Sequence, residues 1–168
     1  MRSQWVNAGL DALRKGGVAA VRVERLAGAV GVTKGSFYHH FRDRGALLEA
    51  LLEYWSREMT DLEFERVRGK SGLAARLLTL AEDVLEKGMG RYDPPIRAWA
   101  RHDRKVAAVV AQVDRRRVKA LTGFFEAGGF ASAEARVRAR TFYTFLLGEP
   151  QVRTPGRELE KMVRILSA

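Results

Sequence analysis

The chain has 168 residues, 46% of them apolar, enough for one or two compact units with a real core and too apolar for a disordered chain. Lys and Arg number 30 against 20 Asp and Glu, a formal net charge of +10 that favours polyanionic partners. Cysteine is absent, which excludes disulfides, thiolate chemistry and cysteine-based zinc sites.

No run approaches the ~18 consecutive apolar residues of a membrane span. The amino terminus, MRSQWVNAGL, has no apolar core long enough for a signal peptide. A cytoplasmic location without a membrane partner is the expectation. Positive charge is densest at the start: residues 1–45 hold 8 Lys/Arg and 3 Asp/Glu, net +5.

Residues 3–15 read as a first helix, with an apolar stripe of Trp5, Leu10 and Leu13, ended by Gly16-Gly17. A second helix begins near Arg22. Its Val23, Leu26, Ala27 and Val30 recur at i, i+3, i+4 and i+7, one face of an amphipathic helix. Gly31 follows where a left-handed backbone is needed. Val32 then turns the chain into Thr33, a predicted N-cap that accepts from the backbone N–H groups after it. A third helix of about two turns runs to Phe41. Phe37 and Phe41, four apart, share its inner face, and Lys34, Ser36, Tyr38, His39 and His40 lie outward. Helix, glycine turn and short capped helix make a helix-turn-helix, whose second helix suits a DNA major groove.

The string from Gly31 to Phe41, GVTKGSFYHHF, with Gly17, Leu26-Ala27 and Leu47-Leu48, resembles the DNA-binding region of the TetR family of bacterial transcriptional regulators. The resemblance covers roughly residues 5–55. It implies an all-α fold of about nine helices, with a three-helix DNA-binding head over residues 1–46 and a helical effector-binding and dimerisation body over 47–168. It also implies double-stranded DNA contacts at Thr33, Lys34, Ser36, Tyr38 and His40. Gly35 would let the backbone approach DNA closely. His39 is the outer neighbour whose role is open between DNA contact and aromatic filling. Arg44 stands where the family usually carries a basic phosphate contact. Arg22 replaces the family's common Thr, which leaves a longer reach to phosphate or a free surface side chain.

Asp43 is the predicted cap of a long helix from Arg44 to Arg68, with Leu47, Leu48, Leu51, Leu52, Trp55 and Met59 as its stripe. Gly69 to Gly72 breaks the chain. A helix over Leu73–Lys87 follows, its Glu82, Asp83 and Glu86 read as a solvated face. Gly88 to Pro95 reads as a loop, and Ile96–His102 as a short helix. A long helix spans Arg104–Ala127, interrupted by Arg115-Arg116-Arg117, a triplet read as a solvated face, with a second DNA or acidic-partner contact as the alternative. Ser132 caps a helix over Ala133–Leu147 that Gly148-Glu149-Pro150 stops. Thr154-Pro155 opens a last amphipathic helix.

The resemblance further implies a homodimer through the last two helices, with Phe142, Phe145, Leu146, Leu159, Met162, Val163 and Leu166 at the interface; packing within the chain is the alternative. It implies a pocket for an unknown small-molecule effector, for which Trp55, Met59, Met89, Trp99, His102 and Tyr143 are candidates, with plain core filling as the alternative. There is no nucleophile elbow, phosphate-binding glycine loop or metal quartet. Adjacent His39 and His40 point ~100° apart on a helix and cannot chelate one ion. The chain is therefore read as a non-enzyme with no catalytic residue, metal or cofactor. The function implied is a dimeric, sequence-specific repressor on a palindromic operator, released by its effector. The alternative is a nonspecific DNA-architecture protein without one.

Overall fold

The computed structural model describes residues 1–152 and 157–168. These hold helices and turns and no strand, so the fold is all-α. In chain order the helices are α1 (Arg2–Ala20), α2 (Val23–Val30), α3 (Lys34–Tyr38), α4 (Arg44–Ser56), α5 (Leu62–Arg68), α6 (Leu73–Leu85), α7 (Asp93–Ala100), α8 (Arg104–Ala127), α9 (Ser132–Val152) and α10 (Arg157–Ser167). A π-helical turn, Arg57–Asp61, joins α4 to α5, so the described residues form nine helical segments.

The chain divides into two compact units. The first is Met1–Arg57 with Arg91–Val110, the second Glu58–Gly90 with Ala111–Ala168. In the first, α1 packs against α2, α4 and α7. Its core includes Trp5, Leu10, Leu13, Phe37, Leu47, Leu51 and Trp55, all fully or almost fully buried. The Trp55 indole N–H donates to a carboxylate oxygen of buried Asp93 at 3.2 Å, which answers the polar atom of an otherwise apolar ring. In the second unit, α6 packs against α5, α9 and α10 around Leu77, Leu80, Leu121, Phe125 and Phe142.

Several boundaries depart from the sequence reading, each for a local reason. The first helix kinks at Gly16-Gly17, where Gly17 has φ 66°, and then makes one more turn to Ala20. Pro94 and Pro95 are not loop residues: they sit in the first turn of α7, where a missing N–H leaves no helical bond unmade. Gly148-Glu149-Pro150 does not stop α9, which continues to Val152 with Pro150 inside its end. Thr154-Pro155 lies outside the described residues.

The stripe of the long helix slips at the π-turn. Burial passes from Trp55 to Thr60, five positions on, and Met59 is only half-buried. A π-turn closes i→i+5 bonds and holds one residue more than an α-turn, which moves the inward position by one.

Two charged groups read as solvated are buried. In the Arg115–Arg117 triplet, Arg115 is exposed and Arg116 pairs with Asp61 at 2.7 Å, but Arg117 is buried and donates from Nε to Thr60 Oγ1 at 3.0 Å. In the acidic face of α6, Asp83 is only 3% exposed and lies with Glu63, 5% exposed, beside the Arg66 guanidinium. Arg66 donates from Nε and Nη2 to the two oxygens of Glu63, at 3.0 and 2.7 Å, and from Nη2 to Asp83 as well. Lys87 completes the cluster at 2.9 Å from Asp83. Desolvated carboxylates persist where paired cations offset the burial.

Candidate nucleic-acid interface

The head is built around Phe37, which is 0% exposed. Its ring meets Trp5 edge-on at 5.2 Å, stacks on Phe41 at 5.5 Å and meets Tyr38 edge-on at 5.3 Å. Arg2 lies over the Phe41 ring at 5.0 Å. This cluster fixes α3, a helix of five residues too short to be stable alone. The turn before it is equally defined. Gly31 has φ 77°, Val32 N–H donates to Ala27 O at 3.0 Å and Gly31 N–H to Gly28 O at 3.3 Å. That pair of bonds is the Schellman motif, with Gly31 at its left-handed position.

Two predicted details of α3 are corrected. Thr33 has the extended backbone of an N-cap, but its hydroxyl makes no capping bond; Ser36 N–H bonds the Thr33 carbonyl instead, at 3.1 Å, in a tight first turn. The helix also ends at Tyr38, three residues before Phe41, with His40 and Phe41 N–H groups sharing the Phe37 carbonyl. Asp43 caps α4 as read, accepting from Ala46 N–H at 2.8 Å.

Of the residues singled out for DNA, Thr33, Lys34, Gly35, Tyr38 and His39 are exposed, Tyr38 by 54%, and Ser36 and His40 are half-buried. Arg22, at the N-cap of α2, is exposed and donates from Nε to Ala19 O at 3.2 Å. Arg44 is also exposed, but its guanidinium donates to Val21 O at 2.6 Å and Val18 O at 2.5 Å. It thereby closes the carbonyl end of α1, a structural task the sequence reading did not give it. Earlier in the same helix, Arg14 and Lys15 both pair with Asp11.

Sequence reasoning missed Glu24. It sits in the first turn of α2 and pairs with Lys34 at the start of α3. The hydrogen bond from Lys34 holds the Glu24 carboxyl below its ordinary range, and Glu24 in turn holds the lysine above its own. The pair is complete above the ordinary carboxylate range and is lost as pH falls through Glu24's lowered value. No sequence periodicity links residues ten apart across a turn, so pattern alone gave no signal.

The other candidates fall in both units. Trp55, Trp99 and His102 belong to the first unit, with Trp55 buried, Trp99 half-buried and His102 exposed. Met59 and Met89, both half-buried, and buried Tyr143 belong to the second. Phe142, Leu146, Leu159 and Val163 are buried in the second unit's own core, against which Phe145, Met162 and Leu166 also pack. No group of His, Asp and Glu able to hold a metal occurs among the described residues. No helix among them is long and apolar enough to cross a membrane.

Residues 6–51 match the family described as bacterial regulatory proteins, tetR family. Over 91 residues the chain is 37% identical to the transcriptional regulator AcuR of Cereibacter sphaeroides, covering 52% of this chain and 40% of that protein. Over 83 residues it is 30% identical to the HTH-type transcriptional regulator BetI of Cronobacter sakazakii, covering 48% and 41%. The chain thus spans less than half the length of these curated relatives. Solved structures share the whole fold. Escherichia coli NemR in its reduced form superposes with a TM-score of 0.78 at 19% identity, covering 98% of this chain and 95% of that one. A TetR transcriptional regulator from Legionella pneumophila superposes at 0.79 with 12% identity, covering 99% and 95%. With its helix-turn-helix and these matches, residues 6–51 form a DNA-binding region of the tetR family of bacterial regulatory proteins, and the described residues share the all-α fold of a solved TetR transcriptional regulator.

Proposed function

We propose that this chain is a dimeric, sequence-specific transcriptional regulator that binds a palindromic operator through α3 and is released by a small-molecule effector. The observation that carries the reading is the construction of α3: a buried Phe37 holds a short helix whose Lys34 and Tyr38 are exposed beside a defined glycine turn. Lysine, hydroxyl and phenol groups at that helix meet phosphates and base edges, and two such heads read two half-sites. The head is residues 1–46, and the remainder serves effector binding and pairing.

Pairing through α9 and α10 requires their outer faces, because the inner faces are already filled. Val137 and Ile165, 66% and 71% exposed, are apolar side chains on those two helices. Sedimentation at micromolar concentration decides the matter, and a monomer there rejects the dimer. The effector candidates remain Trp55, Met59, Met89, Trp99, His102 and Tyr143, although the polar atoms of Trp55 and Tyr143 already have carboxylate partners in Asp93 and Asp114.

The test is selection from sheared genomic DNA at ~150 mM salt, where phosphate-only binding is suppressed. Wild type is expected to recover a few fragments sharing a palindrome, and the Lys34→Ala, Tyr38→Ala double variant to lose them. Unselective recovery by both proteins would reject specific reading and favour the architectural alternative.

A second expectation concerns Glu24. DNA contact by Lys34 must displace this carboxylate, so Glu24→Gln is expected to tighten binding about threefold at low salt and less as salt rises. Fluorescence anisotropy on the selected operator reads it, and unchanged affinity at every salt concentration would show that Lys34 does not leave its partner for DNA.

A further inference from the structure

We propose that the groove between α8 and α9 in the second unit binds a small organic dianion of the phosphate-ester class. The groove is open, with a volume of about 850 Å³, inside the range of about 300–1,000 Å³ usual for small-molecule sites. Its α8 wall carries Arg115 and Lys119, its α9 wall Arg136 and Arg140. Each pair is spaced i, i+4, so both members lie on one helical face, and like charges at that spacing repel. Among the described residues none of these four cations has an ion pair or side-chain hydrogen bond. Their neighbours on the same helices do: Arg116 pairs with Asp61 and Arg138 with Glu134.

The chain therefore gathers excess positive charge from two helices around one concavity. The groove's own acids offset only half of it. Asp114 already accepts from the Tyr143 hydroxyl at 2.6 Å, and Glu126 leaves the lining at net +2, from four cations and two carboxylates. Val118, Tyr143 and Leu147 give the lining an apolar part, which suits a ligand with an organic body behind its charged end. Guanidinium groups take phosphate oxygens in paired hydrogen bonds, which favours a phosphate over a monoanion. The site uses none of the residues proposed for DNA and does not depend on that reading.

The probe is 1-naphthyl phosphate, titrated by calorimetry into the full chain at ~150 mM salt, with neutral 1-naphthol as its counterpart. Wild type is expected to bind the phosphate saturably and the naphthol at least about tenfold more weakly. Arg136→Gln/Arg140→Gln and, separately, Arg115→Gln/Lys119→Gln are each expected to lose at least about tenfold in affinity while keeping the wild-type circular dichroism and melting curve. Lys34→Gln/Arg42→Gln, in the head, is expected to bind as wild type. Equal binding by the groove variants, loss only in the head variant, equal binding of naphthol, or no binding by wild type would each overturn the proposal. So would groove variants that change sedimentation but not phosphate binding, which would make the cations contacts for a second copy.

Discussion

Phe37→Ala is expected to destabilise the amino-terminal unit by about 3–5 kcal/mol, the usual range for deleting a fully buried phenyl ring. At about 2–4 °C per kcal/mol for a chain of this size melting in one transition, the midpoint falls by roughly 6–20 °C. The size follows from position. Phe37 is the inward residue of a five-residue helix, and its ring contacts Trp5, Tyr38 and Phe41. The Trp5 indole nitrogen beside it is buried and has no hydrogen-bond partner among the described residues, so the ring is held there by packing alone. DNA selection should disappear with the ring, since α3 has no other apolar anchor of its own. Phe37→Leu keeps most of the volume and should retain most of both. Thermal denaturation followed by circular dichroism measures the first effect, and the genomic selection the second. A Phe37→Ala protein that melts with wild type would mean that α3 is held by something other than this cluster.

The second large effect belongs to Arg66. Arg66→Ala leaves buried Glu63 without its partner and Asp83 with Lys87 alone. Breaking a buried pair from one side costs about 3–5 kcal/mol. Here about 3 kcal/mol is expected, the lower end, because the Arg66 side chain is itself 48% exposed and part of its interaction is screened. Chemical denaturation at neutral pH gives the value. Arg66→Lys retains charge but not the fork that spans both carboxylates, and should fall between. Equal midpoints for wild type and Arg66→Ala would mean that water or Lys87 satisfies the carboxylates unaided.

The head was legible because its determinants are local. Gly31 at the end of an i, i+3, i+4, i+7 stripe, a pair of phenylalanines four apart and an aspartate three before an alanine N–H each act within one or two turns. What escaped the sequence depends on distant partners. Asp83 and Arg117 look like solvent-facing charges until Arg66 and Thr60 are brought beside them from 17 and 57 residues away. Glu24 and Lys34 meet only because the turn folds one helix start against the other. Arg44 reads as a phosphate ligand from the family's pattern, and the two carbonyls of the preceding chain that accept from its Nε and Nη2 are contacts which that pattern does not show. Pro94 and Pro95 misled for the opposite reason: the same ring that breaks a helix interior is at home in its first turn.

The π-turn at Arg57–Asp61 makes this stretch unequally sensitive to a change in length. A plain α-helix running on from Trp55 would turn position 59 inward, and the wider turn brings Thr60 there instead, followed by Glu63, Phe64 and Val67. The turn thus absorbs one surplus residue. Removing one residue between 57 and 61 lets the segment close as ordinary α-helix with Thr60, Phe64 and Val67 still in phase. Adding one has no such slack to draw on, and advances every later side chain by ~100°. Deletion and insertion, equivalent on paper, are opposite events at this point in the chain.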